Sequence, residues 1–194
     1  MGFNCIAVDQ RSGAPMAGVT NETAERAKKE GKPMAYVDAL PDLVTSLQVA
    51  RKRWAKGKLI AWGSSYSAGL VLHLASREPR LADALLSFAP GEYYTRSGKP
   101  SDWIASGTQS IKVPTFITSA KNEHSQWKPM YDGIPAEFRS FYLPETSGRH
   151  GSRALWKETP DHSGYWDATS AFLEQFHSKE DRTMPDKKKV MSDK

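Results

Sequence analysis

The sequence predicts an α/β domain, built as a three-layer α/β/α sandwich around a mostly parallel sheet. Short apolar runs alternate with longer stretches of helical periodicity, the spacing of right-handed crossovers that cover both faces of a parallel sheet. One run passes through small residues straight into a helix pattern, at LIAWGSSYSAGLVLHLAS, residues 59–76. A chain of 194 residues with 39% hydrophobic content is also large enough for one domain with a sizeable core.

Taken in order, FNCIAV predicts a strand at residues 3–9, with Cys5 buried inside it as a small hydrophobe. A helix follows over 39–54, then the strand 59–62 and a helix over 66–76. ADALLSFA predicts the next strand, residues 101–110 a helix, VPTFITSA a strand over 113–119, FRSFYL another strand, and residues 163–177 the last helix. Residues 1–177 thus form one domain. Residues 178–194 read as a charged, solvated tail, since HSKEDRTMPDKKKVMSDK from residue 177 holds six Lys or Arg against four Asp or Glu and few apolar residues.

The formal net charge of +5 would suit a nucleic-acid partner, but the clustered basic residues of that tail read as a solvated segment, so none is expected. No run approaches the roughly 18 apolar residues of a membrane span, and no secretory pattern follows Met1. No membrane association is expected, and the cytoplasm is the default compartment. A single cysteine rules out an internal disulfide. Composition says nothing of oligomeric state.

In open parallel sheets chemistry gathers at the carboxyl ends of the strands. At the first such end, strand 59–62 runs into Gly63, Ser64, Ser65, Tyr66 and Ser67, with Ala68 and Gly69 entering the helix. This has the form of a nucleophile elbow, a sharp strand-to-helix turn that lifts a central serine into solvent and needs small flanking residues. Ser65 is the residue presented. The helix amino terminus beneath it favours developing negative charge, with the Tyr66 backbone amide as the candidate oxyanion donor.

A serine hydroxyl needs a base. His73 and His177 lie in helices, His162 falls at a helix start and His124 stays possible, whereas His150 occupies a glycine-flanked loop after FRSFYL, where a strand-end base belongs. The third member is a carboxylate that fixes the imidazole tautomer. Glu123 follows strand 113–119 directly; Asn122 beside it carries no charge, and Asp132 is committed to a following helix or loop. The order Ser65, Glu123, His150 is nucleophile, acid, base. Tyr93, Tyr94, Trp127 and Tyr131, near strand ends, are the candidate apolar walls of a substrate pocket.

Across about residues 1–177 the chain resembles the α/β-hydrolase superfamily, and within it the serine esterase-like members of the dienelactone hydrolase group. FNCIAVDQRSG is similar to the strand and arginine loop that precede the elbow strand, GSSYSAG to the elbow, VPTFITSAKNE to the acid strand and GRHGS to the histidine loop. Three departures stand out: Ser65 where dienelactone hydrolases proper use cysteine, Glu123 where the acid is usually aspartate, and Ser67 in place of the last elbow glycine. The first two fit ester hydrolysis by a serine enzyme.

The resemblance implies further strands before MGFNCIAVDQ, one of which lies between the 3–9 strand and the elbow strand and ends in the loop that supplies a second oxyanion amide. The expectation is therefore of an amino-terminally truncated fold, from a fragment or a reading frame opened at an internal methionine. It also implies hydrolysis of a small-molecule carboxylic ester through an acyl-enzyme, with no metal or cofactor. The alternatives are a non-catalytic hydrolase-like protein that only binds a small molecule, and a basic interaction module. Fold and triad leave acyl size and the choice among ester, peptide and lactone open.

Overall fold

A computed structural model describes residues 2–177. Strands β1 (Ile60–Ser64), β2 (Ala84–Phe88), β3 (Thr115–Thr118) and β4 (Arg139–Tyr142) pair side by side in that order, every neighbour parallel. The period-two alternation of a strand divides their side chains between two cores. Leu85 and Ile117 face one side, where α2 (Leu40–Arg53), α3 (Tyr66–Arg77) and α4 (His124–Gly133) bring Leu43, Leu70, Leu74 and Trp127 against them. Leu86, Phe88 and Phe116 face the other, against Phe172 and Leu173 of α5 (His162–Glu174). The expected three layers are present.

The helix α3 anchors this arrangement, because Leu70 and Leu72 are fully buried and each contributes about 2 kcal/mol of transfer free energy. Its first turn therefore has little freedom to move relative to β1 and β2. A further helix, α1 (Glu22–Lys29), buries only Ala24 and Ala27; Asn21 caps it by accepting from the Ala24 amide at 2.8 Å.

Two expectations fail. Residues 3–9 form no strand, and Cys5 is exposed, as are Phe3, Ile6 and Val8. FNCIAV has the composition of a strand, but a strand exists only where a neighbour satisfies its amides and carbonyls, and among the described residues β1 pairs with β2 alone. The second is the helix at 101–110: the chain turns through 104 and then makes a 3-10 helix, Ala105–Ser110. The Glu92 carboxylate accepts from the amides of Ile104 and Ala105, holding the start of that turn in place of a preceding helical repeat. The proposed tail, 178–194, lies outside the described residues.

A cleft of about 940 Å³ opens between residues 2–6 and 54–59, at the amino end of β1. It contains none of the candidate catalytic side chains, and its volume alone assigns it no chemistry. No helix of the described residues is long and apolar enough to cross a membrane.

Candidate active site

Ser65 stands between β1 and α3 with φ 59° and ψ −127°, a backbone geometry that costs a non-glycine residue about 1–3 kcal/mol. Its neighbours enforce it. The Ser65 amide donates to the Phe88 carbonyl at 2.8 Å, and its carbonyl accepts from the Ala68 amide at 2.9 Å. A Cβ on Gly63 would lie 2.3 Å from the Ser67 carbonyl oxygen, so only glycine lets strand and helix come this close. Ser67, where the motif ends in glycine, closes the turn instead: its hydroxyl accepts from the Ser64 amide at 2.9 Å and donates to the Ser64 carbonyl at 2.8 Å.

The backbone amide of Tyr66 is the first of α3, so it has no acceptor within the helix and lies at the positive end of the helix dipole, next to the Ser65 hydroxyl. Tyr94 anchors the same turn from beneath by donating its hydroxyl to the Tyr66 carbonyl.

The imidazole of His150 reaches both partners. Nε2 lies 2.9 Å from Ser65 Oγ, and Nδ1 lies 2.5 Å from Glu123 Oε1. A carboxylate only accepts, so Nδ1 carries the proton and Nε2 is free to accept the serine's. Glu123 ends the 3-10 turn Lys121–Glu123 after β3, and its other oxygen accepts from the Ala120 amide at 3.1 Å. The acid and base loops are tied directly, with the Lys121 amide donating to the Ser147 carbonyl at 3.0 Å. Glu123 and His150 side chains are 16% and 34% exposed, which admits a ligand while limiting water.

The aromatic residues separate. Tyr93 is half-buried near the acid: its hydroxyl donates to the Ala89 carbonyl at 3.0 Å, and burial, with the Glu123 charge second, pushes its ionisation up to about 12. Tyr94 and Trp127 are instead fully buried in the core, which corrects their expected place as pocket walls. Both polar ends are occupied inside the protein, Tyr94 by the Tyr66 carbonyl and Trp127 by Ser119 Oγ at 2.7 Å, so the rings point inward. Tyr131 is half-buried beside β4, with the Arg139 guanidinium 4.7 Å from its ring centre and Phe141 edge-on.

Tyr36 went unseen in the sequence; its ring stacks on Tyr66 at 4.4 Å, with planes 2° apart. No local pattern could have marked it, because the contact joins two separate elements. A cleft of about 580 Å³ opens against Glu123 and His150, rimmed by Lys121, Asn122, Ser147 and Arg149. Among the described residues no group of three or more His, Cys, Asp or Glu is placed to hold a metal ion.

No protein-family model matches the sequence, and no curated protein matches it. Solved structures do. The chain is similar to an esterase of Pyrococcus furiosus at 16% identity and TM-score 0.55, covering 71% of this chain and 62% of that one. A dienelactone hydrolase of Anabaena variabilis gives 16% identity and TM-score 0.58 over 82% of this chain and 70% of that one. A monoacylglycerol lipase of Paleococcus ferrophilus gives 6% identity and TM-score 0.56 over 74% and 76%. The chain thus spans less than two thirds of the first of these proteins. At such identities the likeness is one of architecture, and together with the parallel sheet and its strand-to-helix elbow it gives this chain the α/β-hydrolase fold.

Proposed function

We propose that this chain is a serine hydrolase of small-molecule carboxylic esters, with Ser65 as nucleophile, His150 as base and Glu123 as the acid that orients it. One observation carries the reading: three side chains distant in sequence form an unbroken Ser65–His150–Glu123 hydrogen-bonded relay at the carboxyl end of the sheet. The names of the similar proteins, an esterase, a dienelactone hydrolase and a lipase, support ester chemistry.

In this mechanism Ser65 Oγ attacks the ester carbonyl carbon while His150 Nε2 takes its proton. The carbonyl oxygen becomes an oxyanion facing the Tyr66 amide, and the imidazolium is stabilised by Glu123. The oxyanion collapses, the ester C–O bond breaks, and His150 returns the proton to the leaving alcohol. Water then attacks the acyl-Ser65 ester, giving its proton to His150, and the carboxylic acid leaves as Ser65 is re-protonated. Tyr93 and the Tyr36–Tyr66 stack supply aromatic surface for the substrate.

The test is the intact mass of the purified chain after a serine-directed fluorophosphonate, with peptide mapping. The expected result is a single adduct on Ser65 that disappears in Ser65→Ala and His150→Ala. A folded chain that takes no label and hydrolyses no p-nitrophenyl ester would overturn the proposal.

A further inference from the structure

His150 occupies a position where its own side chain cannot do the usual structural work. It is the cap residue of the 3-10 turn Gly151–Leu155 and makes no side-chain cap hydrogen bond, because its ring is engaged with Ser65 and Glu123. The first amides of such a turn have no acceptor within it and need an oxygen from elsewhere. That oxygen comes from the neighbouring strand: the Ser152 amide donates to Ser64 Oγ at 2.9 Å.

A second bond joins the same pair of elements. Alternation along β1 puts Trp62 and Ser64 on one face, and Trp62 Nε1 donates to Ser152 Oγ at 3.0 Å. Ser152 is therefore gripped by backbone and side chain from the strand that carries the nucleophile. The approach is close enough to demand glycine between Ser152 and His150. Gly151 has φ +65°, and a Cβ there would lie 2.6 Å from Ser64 Oγ.

We propose that Ser64 is a positioning residue: it caps the histidine turn from outside, through Ser152, and so sets where His150 stands relative to Ser65. The inference rests on the hydrolase reading above and deepens it. Nucleophile and base then share one joint, since Ser64 precedes Ser65 and Ser152 follows His150 by two residues. A displacement of about 1 Å at a base can cost roughly a hundredfold in rate, so loosening this joint slows the chemical step while leaving substrate binding nearly untouched.

The test uses the full 194-residue chain. With p-nitrophenyl acetate, Ser64→Ala lowers kcat by roughly 10- to 100-fold and keeps KM within about twofold. Gly151→Ala is also slow, and its further cost is smaller in the Ser64→Ala background, where the clashing oxygen is gone. Nuclear magnetic resonance supplies the readout that needs no turnover: in Ser64→Ala the Ser152 amide exchanges at least tenfold faster, amides of α3 do not, and the His150 ring resonances move toward those of free imidazole. Unchanged Ser152 exchange with unchanged His150 resonances overturns the inference, as does a loss confined to KM. A wild-type chain that neither turns over nor labels defeats the hydrolase reading alone, and the resonance arm still decides the positioning of His150.

Discussion

His150 Nε2 stands 2.9 Å from Ser65 Oγ across a sequence separation of 85, and the same ring meets Glu123 on its other side. On the proposed hydrolase reading the three groups act as a unit, so losing any one of them costs most of the activity. His150→Ala removes the base and is expected to slow fluorophosphonate labelling by roughly a thousandfold or more. Glu123→Gln leaves a hydrogen-bonding side chain but no charge, and costs roughly a thousand- to ten-thousandfold by disturbing the tautomer. Labelling rates against reagent concentration check both.

The elbow makes a sharper demand on shape than on chemistry. Gly63→Ala places a Cβ 2.3 Å from the Ser67 carbonyl oxygen and 2.6 Å from its carbon, backbone atoms that cannot swing aside. The expected loss is about 3 kcal/mol or failure to fold. Ser67→Ala removes only the hydroxyl that bridges Ser64 and is expected to cost about 1 kcal/mol. Denaturant unfolding of the two variants separates a steric from a hydrogen-bonding requirement.

His73 makes stability depend on pH. Burial first, and then the charges of Arg77 and Lys99, hold its pKa down to about 4, while the unfolded chain titrates near 6.5. Between these values the unfolded state binds more protons, so stability rises with pH through the window and falls on acidification. Thermal melts from pH 7.5 down to pH 4.5 should show a decline that flattens in His73→Gln. That variant should also melt lower at neutral pH, because the imidazole packs against the Trp103 ring, with centroids 4.0 Å apart and planes tilted by 31°.

Arg11 holds the segment after residues 3–9 against α2 through Asp42, with its guanidinium at 2.6 Å and its amide at 2.9 Å. Burial raises the Asp42 pKa, but the side-chain and backbone hydrogen bonds from Arg11 and its charge together take it below 3.8. The stabilisation is thus present above that value and lost as pH falls through the lower, folded one. Asp42→Asn should lose about 1 kcal/mol at neutral pH and progressively less as the pH falls through the folded value, read by paired melts. Faster proteolysis at Arg11 in the variant would accompany it.

Elements whose partners come from local periodicity were legible in the sequence. The elbow at Ser65, helix α3, strands β2 to β4 and helix α5 follow from apolar runs, small residues and spacing, and the Ser65, Glu123, His150 order points to the three side chains that meet. What local pattern could not supply was a partner. Residues 3–9 have strand composition and no neighbouring ladder, so they stay unpaired and Cys5 is exposed. Tyr94 and Trp127 sit near strand ends as a pocket wall would, but a buried carbonyl and a buried hydroxyl draw their polar ends inward. The Tyr36–Tyr66 stack and the Ser64–Ser152 joint bring residues from distant elements into contact. Sequence alone determined which residues could do the chemistry, through residue type and short-range spacing. Tertiary structure decided where they stand, because hydrogen bonds and close packing between distant segments exist only once the sheet has brought them together.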